Sequence, residues 1–97
     1  MGNITHQEEI FIDVDNELHQ TVKGMISDDY IERFKAEYKQ LIIRLDRLRT
    51  IIYKAKTRKI SFQLESSLQL LEAQASYMDG YASVMRDRAA TEGINLD

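Results

Sequence analysis

The amino-acid sequence predicts an all-α fold: a long antiparallel two-helix hairpin, coiled-coil-like, preceded by a short N-terminal helix and gathered into an oligomeric bundle. Three observations carry that reading. Proline is absent from all 97 residues, so no position obliges a helix to break. Apolar residues recur at Ile31, Phe34, Tyr38, Leu41, Leu45, Leu48 and Ile52, alternating steps of three and four that draw one stripe down a long helix. The rhythm returns at Leu64, Leu68, Leu71, Ala75, Met78, Ala82, Met85 and Ala89 in a different register. Continued past Ile52, the first stripe would fall on Lys59 and Ser66, so the chain has to turn near Ala55 to Ile60.

Residues 1–27 form an acidic N-terminal segment, and residues 28–94 the helical hairpin domain. Within the segment, Ile10, Ile12 and Val14 alternate as in a strand, whereas Phe11, Val14, Leu18, Val22 and Met25 keep helical spacing over a longer stretch. The longer pattern predicts a short helix from about Glu8 to Lys23, ended near Gly24, with residues 1–7 loose. Ser27, Asp28 and Asp29 offer N-caps to the first long helix, and Asp29 with Glu32 has capping-box spacing. The last turns of that helix are basic, as its dipole prefers. Ser61 is placed to cap the second long helix, which runs to about Thr91 before Gly93 stops it. The bulky Ile31, Tyr38, Leu45 and Ile52 can face the small Ala75, Ala82 and Ala89, a pairing that allows close packing.

The second long helix carries a further stripe, Leu70, Tyr77, Tyr81 and Val84, with Ala73, Ser76 and Gly80 as a strip of small residues beside it. A glycine inside a helix costs about 1 kcal/mol against alanine, so Gly80 points to the close approach of another backbone. Either the N-terminal segment covers this face or a second copy does, and the two are compatible. Ile42 and Ile43, off the seam of the first helix, favour self-association. So does size, because a chain this short leaves much of its surface exposed unless it recruits partners.

Composition narrows the chemistry. With no cysteine, neither a disulfide framework nor a thiolate metal site can form, and a reducing compartment is compatible. No apolar run reaches the length of a membrane span, and Glu8 and Glu9 stand where a signal peptide would be basic and then apolar, so a cytoplasmic, non-membrane protein is expected. The run Asp13-Val14-Asp15-Asn16-Glu17 starts like a calcium loop, but Leu18 replaces the glycine of its sixth position and Gly24 the glutamate of its twelfth. His6 and His19 lack clustered ligand spacing. No phosphate-cradling glycine loop and no nucleophile motif is present, so the expectation is a protein that is not an enzyme, with no metal and no cofactor.

The net charge of −3 conceals a division. Residues 1–37 hold nine acids and three bases, residues 44–59 hold seven bases against Asp46 alone, and residues 60–97 come to −4. The turn is therefore a basic tip on an acidic body. Arg47, Arg49, Lys54, Lys56, Arg58 and Lys59 are candidates to engage phosphates, with Tyr53 available for base stacking. Solvated lysines and arginines at a turn and a helix C-terminus are the plainer alternative.

A family resemblance rests on Ile31-Glu32-Arg33-Phe34-Lys35-Ala36-Glu37-Tyr38-Lys39-Gln40-Leu41, continued through Arg44-Leu45 and Leu48, and on Leu70-Leu71-Glu72-Ala73-Gln74, Met78, Tyr81, Met85 and Arg88. Over about residues 28–94 the chain resembles small helical-hairpin proteins of tailed phages and prophages related to a crAss-like phage protein. The group offers no catalytic residues to carry over. The resemblance implies a phage protein working in the bacterial host cell. Its leading role would be anti-defence, anti-CRISPR inhibition included, or host takeover, by binding the surface of a bacterial protein or protein–nucleic-acid complex. A homo-oligomeric sponge for a phosphate-bearing nucleotide signal and a structural scaffold are the alternatives.

Overall fold

The computed structural model describes residues 17–58 and 63–97, and every regular element among them is helical. The predicted helix start at Glu8, the loose residues 1–7, His6, the acidic run from Asp13, Ile60, Lys59 and Ser61 lie outside the described residues. The chain divides into two compact units, Met1–Gln40 and Leu41–Asp97.

In the first unit, α1 is helical over 17–25 among the described residues, and α2 begins at Tyr30 and runs to Lys56. Helix α1 ends near Gly24, as its sequence predicts: Met25 is its last helical residue, and it closes with Ile26 N–H on the Val22 carbonyl and Ser27 N–H on that of Gly24. A Cβ at position 24 would lie 2.7 Å from the Cβ of Ala36, so the glycine also serves close approach to α2. Thr21 is buried on the same side, its hydroxyl donating to the Leu18 carbonyl at 2.6 Å and accepting from the Gln40 amide at 3.4 Å.

Asp29 caps α2 as expected, with its carboxylate accepting from Ile31 N–H at 2.9 Å. The reciprocal half of the capping box is supplied differently: the Asp29 N–H is taken by the Ser27 hydroxyl at 3.0 Å, not by Glu32. The Ser27 carbonyl in turn accepts from the Arg33 guanidinium at 2.7 Å, which pins the link between the helices. The predicted stripe fails at its first position, since Ile31 is 44% exposed. Burial starts at Phe34, whose ring meets Tyr30 edge-on at 6.1 Å, and includes Ala36, which faces Gly24.

In the second unit, Leu45, Ile52 and Ala75 form a buried cluster with Leu48, Leu68, Leu71 and Met78 packed against it. Helix α3 spans Leu68–Glu92. Arg49 pairs with Asp79 at 2.9 Å and Lys56 with Glu72 at 3.5 Å, so each step forward along this part of α2 is a step back along α3. Ala82, Met85 and Ala89 continue the buried stripe of α3 at the positions that the heptad assigns.

The connection is longer than predicted. Helix α2 closes through Thr57 N–H on the Tyr53 carbonyl and Arg58 N–H on that of Ala55, with Arg58 in the left-handed conformation at φ 58°. Helix α3 starts at Leu68, not after Ser61, and its cap is Ser67, whose hydroxyl accepts from Leu70 N–H at 3.2 Å. Leu64, assigned to the second stripe by spacing, lies in the non-helical connection, where it is half-buried. The helix starts where its first apolar residue, Leu68, reaches the Leu45 cluster. At the far end Gly93 adopts φ 71°, and the N–H groups of Gly93 and Ile94 both donate to the Ala89 carbonyl, the double closure of a left-handed cap that also buries Ile94.

Two stability outcomes follow from this packing. Leu45 is 2% exposed, so Leu45→Ala lowers stability by roughly 2 to 5 kcal/mol in chemical denaturation monitored by circular dichroism. Arg58→Gly raises it by about 1 kcal/mol, because glycine adopts the left-handed conformation without the steric cost that a Cβ carries. A fall in midpoint for Arg58→Gly would mean that the arginine side chain holds the turn.

Candidate functional sites

The basic tip is built from the last turns of α2. At about 100° per residue, Arg49 and Lys56 share one side of the helix and Arg47 and Lys54 another, roughly 140 to 180° away. The first pair carries the ion pairs to Asp79 and Glu72 of α3, so these two cations face carboxylates. Tyr53 is 62% exposed and leaves its ring open to a stacking partner. Lys54 and Arg58 are exposed, Arg47 is half-buried, and Lys59 lies outside the described residues. The helix thus distributes the bases around its circumference.

Beside Arg47 the connection folds back to leave a hollow of about 300 Å³, lined by Leu48, Ile51, Leu64 and Leu71, with Glu65 and Ser66 at its edge. Ile51 belongs to neither predicted stripe. Its signal was the unbroken Ile51-Ile52 pair, in which only one residue can face the seam.

The second face of α3 is open. Leu70 is 65%, Tyr77 80% and Val84 58% exposed, and Tyr81 also stands in the exposed class. Between them runs a shallow apolar groove of about 420 Å³, bordered by Leu70, Ala73, Tyr77, Met78 and Tyr81. Gly80 has open space where a Cβ would project, so no described residue makes the close approach that the glycine implies. Ile42 and Ile43 are half-buried.

A third hollow lies within the first unit, between α1 and the start of α2. It is an open hollow of about 420 Å³, lined by Gln20, Thr21, Lys23, Gly24 and Ser27 from one side and Glu32, Lys35, Ala36 and Lys39 from the other. The charge count of residues 1–37 hides it, because nine acids dominate that stretch. What could have shown it is the i, i+4 pair Lys35 and Lys39 on one face of α2. Among the described residues no group of three His, Cys, Asp or Glu comes together to hold a metal ion. No described helix is long and apolar enough to cross a membrane.

Fold and surfaces together define an all-helical protein that offers shallow hollows and an uncovered apolar face. The chain belongs to the Sequestin family, whose model matches residues 28–91, about two-thirds of its length. No curated protein and no solved structure gives a significant match.

The open position of Gly80 supplies a test of whether a second copy uses the α3 face. In a chain that stays alone, Gly80→Ala stabilises by about 1 kcal/mol through helix propensity. If another backbone approaches there, the same substitution weakens self-association instead, and a dilution series in the analytical ultracentrifuge separates the two.

Proposed function

We propose that this chain is a non-catalytic sequestering protein of phage origin, which assembles antiparallel helical hairpins into an oligomer and withholds a phosphate-bearing nucleotide signal from host defence. The observation that carries the reading is membership of the Sequestin family, since the name denotes taking a ligand out of circulation and such a role requires binding surface alone. The hollows of about 300 to 420 Å³ are of the size that small ligands occupy. Self-association is supported by the exposed Leu70, Tyr77 and Val84, which form an apolar patch on one side of α3. The same patch favours a second reading, in which it docks on a bacterial protein or protein–nucleic-acid complex, anti-CRISPR inhibition included.

Two measurements test this reading. Light scattering gives the parent chain a mass that is a multiple of 11.3 kDa, and Tyr77→Lys with Tyr81→Lys reduces it; a monomeric parent rules the oligomer out. Recovery of the protein from bacterial lysate, followed by mass spectrometry of bound nucleotides and proteins, yields a nucleotide if the sponge reading holds. A stoichiometric host protein with no nucleotide transfers the function to the second reading.

A further inference from the structure

We infer that the hollow between α1 and the start of α2, which Lys23, Lys35 and Lys39 line beside Gly24, is an anion site that takes a phosphate-class dianion. The location is independent of the oligomer, and its use for a nucleotide rests on the sequestering reading above.

The first argument is the balance of charge. Among the described residues, three lysines line this hollow against one carboxylate, Glu32. None of the three ammonium groups makes an ion pair or a hydrogen bond with a described residue, whereas Arg49 and Lys56 at the tip are each matched by an acid of α3. Lys35 and Lys39 stand at i and i+4, a spacing at which like charges destabilise a helix, and Lys23 adds a third positive charge from α1. A bound dianion relieves that repulsion and exchanges released counterions for fixed partners.

The second argument is construction. The floor is packed and hydrogen-bonded: Gly24 lies against Ala36 too closely for a Cβ, and Thr21 is buried with its hydroxyl between Leu18 and Gln40. At the mouth, the Ser27 hydroxyl and carbonyl are both engaged, to Asp29 N–H and the Arg33 guanidinium, so the link between the helices is fixed as well. The lysines therefore project from two helices whose separation is set before any ligand arrives, and pre-organisation of this kind lowers the entropic cost of binding.

The experiment uses inorganic phosphate and pyrophosphate as probes on the full chain, followed by amide chemical shifts with ionic strength held constant against chloride. The expected result is saturable shifts at Thr21, Gly24 and Ser27 that chloride does not produce. Lys35→Gln or Lys39→Gln alone weakens pyrophosphate binding by about tenfold, and the triple variant with Lys23→Gln abolishes it. Lys35→Arg with Lys39→Arg, which keeps the charge, retains it. The tip variant Lys54→Ser with Arg58→Ser binds like the parent. Absence of saturable shifts, shifts matched by chloride, or a triple Gln variant that is helical by circular dichroism and still binds would overturn the inference. If pyrophosphate binds as described while lysate yields only a protein, the anion site stands and the nucleotide reading does not.

Discussion

The second unit is organised by one large-against-small contact, in which Leu45 and Ile52 of α2 close on Ala75 of α3. Two bulky aliphatic side chains seven residues apart need a small residue opposite if the helices are to approach to packing distance, and this requirement fixes the register. Once Ala75 is set against them, Asp79 falls beside Arg49 and Glu72 beside Lys56. Both ion pairs involve side chains about half exposed, and pairs of that kind contribute little, so they follow the register rather than set it. The same rotation of α3 that buries Ala75, Ala82 and Met85 turns Leu70, Tyr77 and Val84 outward.

Much of this was legible in the sequence because helical periodicity reports burial directly. The stripe from Phe34 to Ile52, the alanines and Met85 of α3, the Asp29 cap and the Gly93 stop all occupy the places that spacing and capping chemistry assign. Misreadings arose where two local signals of equal strength compete. Ser61 and Ser67 are both serines ahead of apolar periodicity, and the choice between them depends on which turn delivers its first leucine to the Leu45 cluster, a tertiary fact. Gly24 marks the end of α1 as its propensity predicts, but the close approach of Ala36, twelve residues on, is a second demand on it that local propensity does not report. Gly80 has the same propensity signal and no such neighbour among the described residues.

The charges show a similar separation between what composition reports and what geometry decides. Residues 44–59 hold seven bases, but a helix spreads consecutive side chains around its axis, and part of that charge is placed where α3 supplies carboxylates. The three lysines of the first unit belong to a stretch whose net charge is strongly negative, and only the pairing of α1 with α2 collects them. Net charge per segment therefore points to the tip, while unmatched charge in a shaped hollow points to the other place. For binding, the second quantity matters more, because a cation already matched by a neighbouring carboxylate must give up that partner before it gains a phosphate.

Sequestration asks less of a fold than catalysis does, and the economy of this chain is consistent with that demand. A sponge needs a fixed recess, a complementary charge and enough copies to deplete its ligand. It needs no group poised to accept a proton. The recess between α1 and α2 is fixed by a glycine contact and a buried threonine, both of which cost little sequence. The outward stripe of α3 lies in the other compact unit, so the residues that would join copies and the residues that would hold an anion are on separate parts of the chain. Such a division lets each surface change without disturbing the other, and it makes assembly and ligand capture separable by substitution.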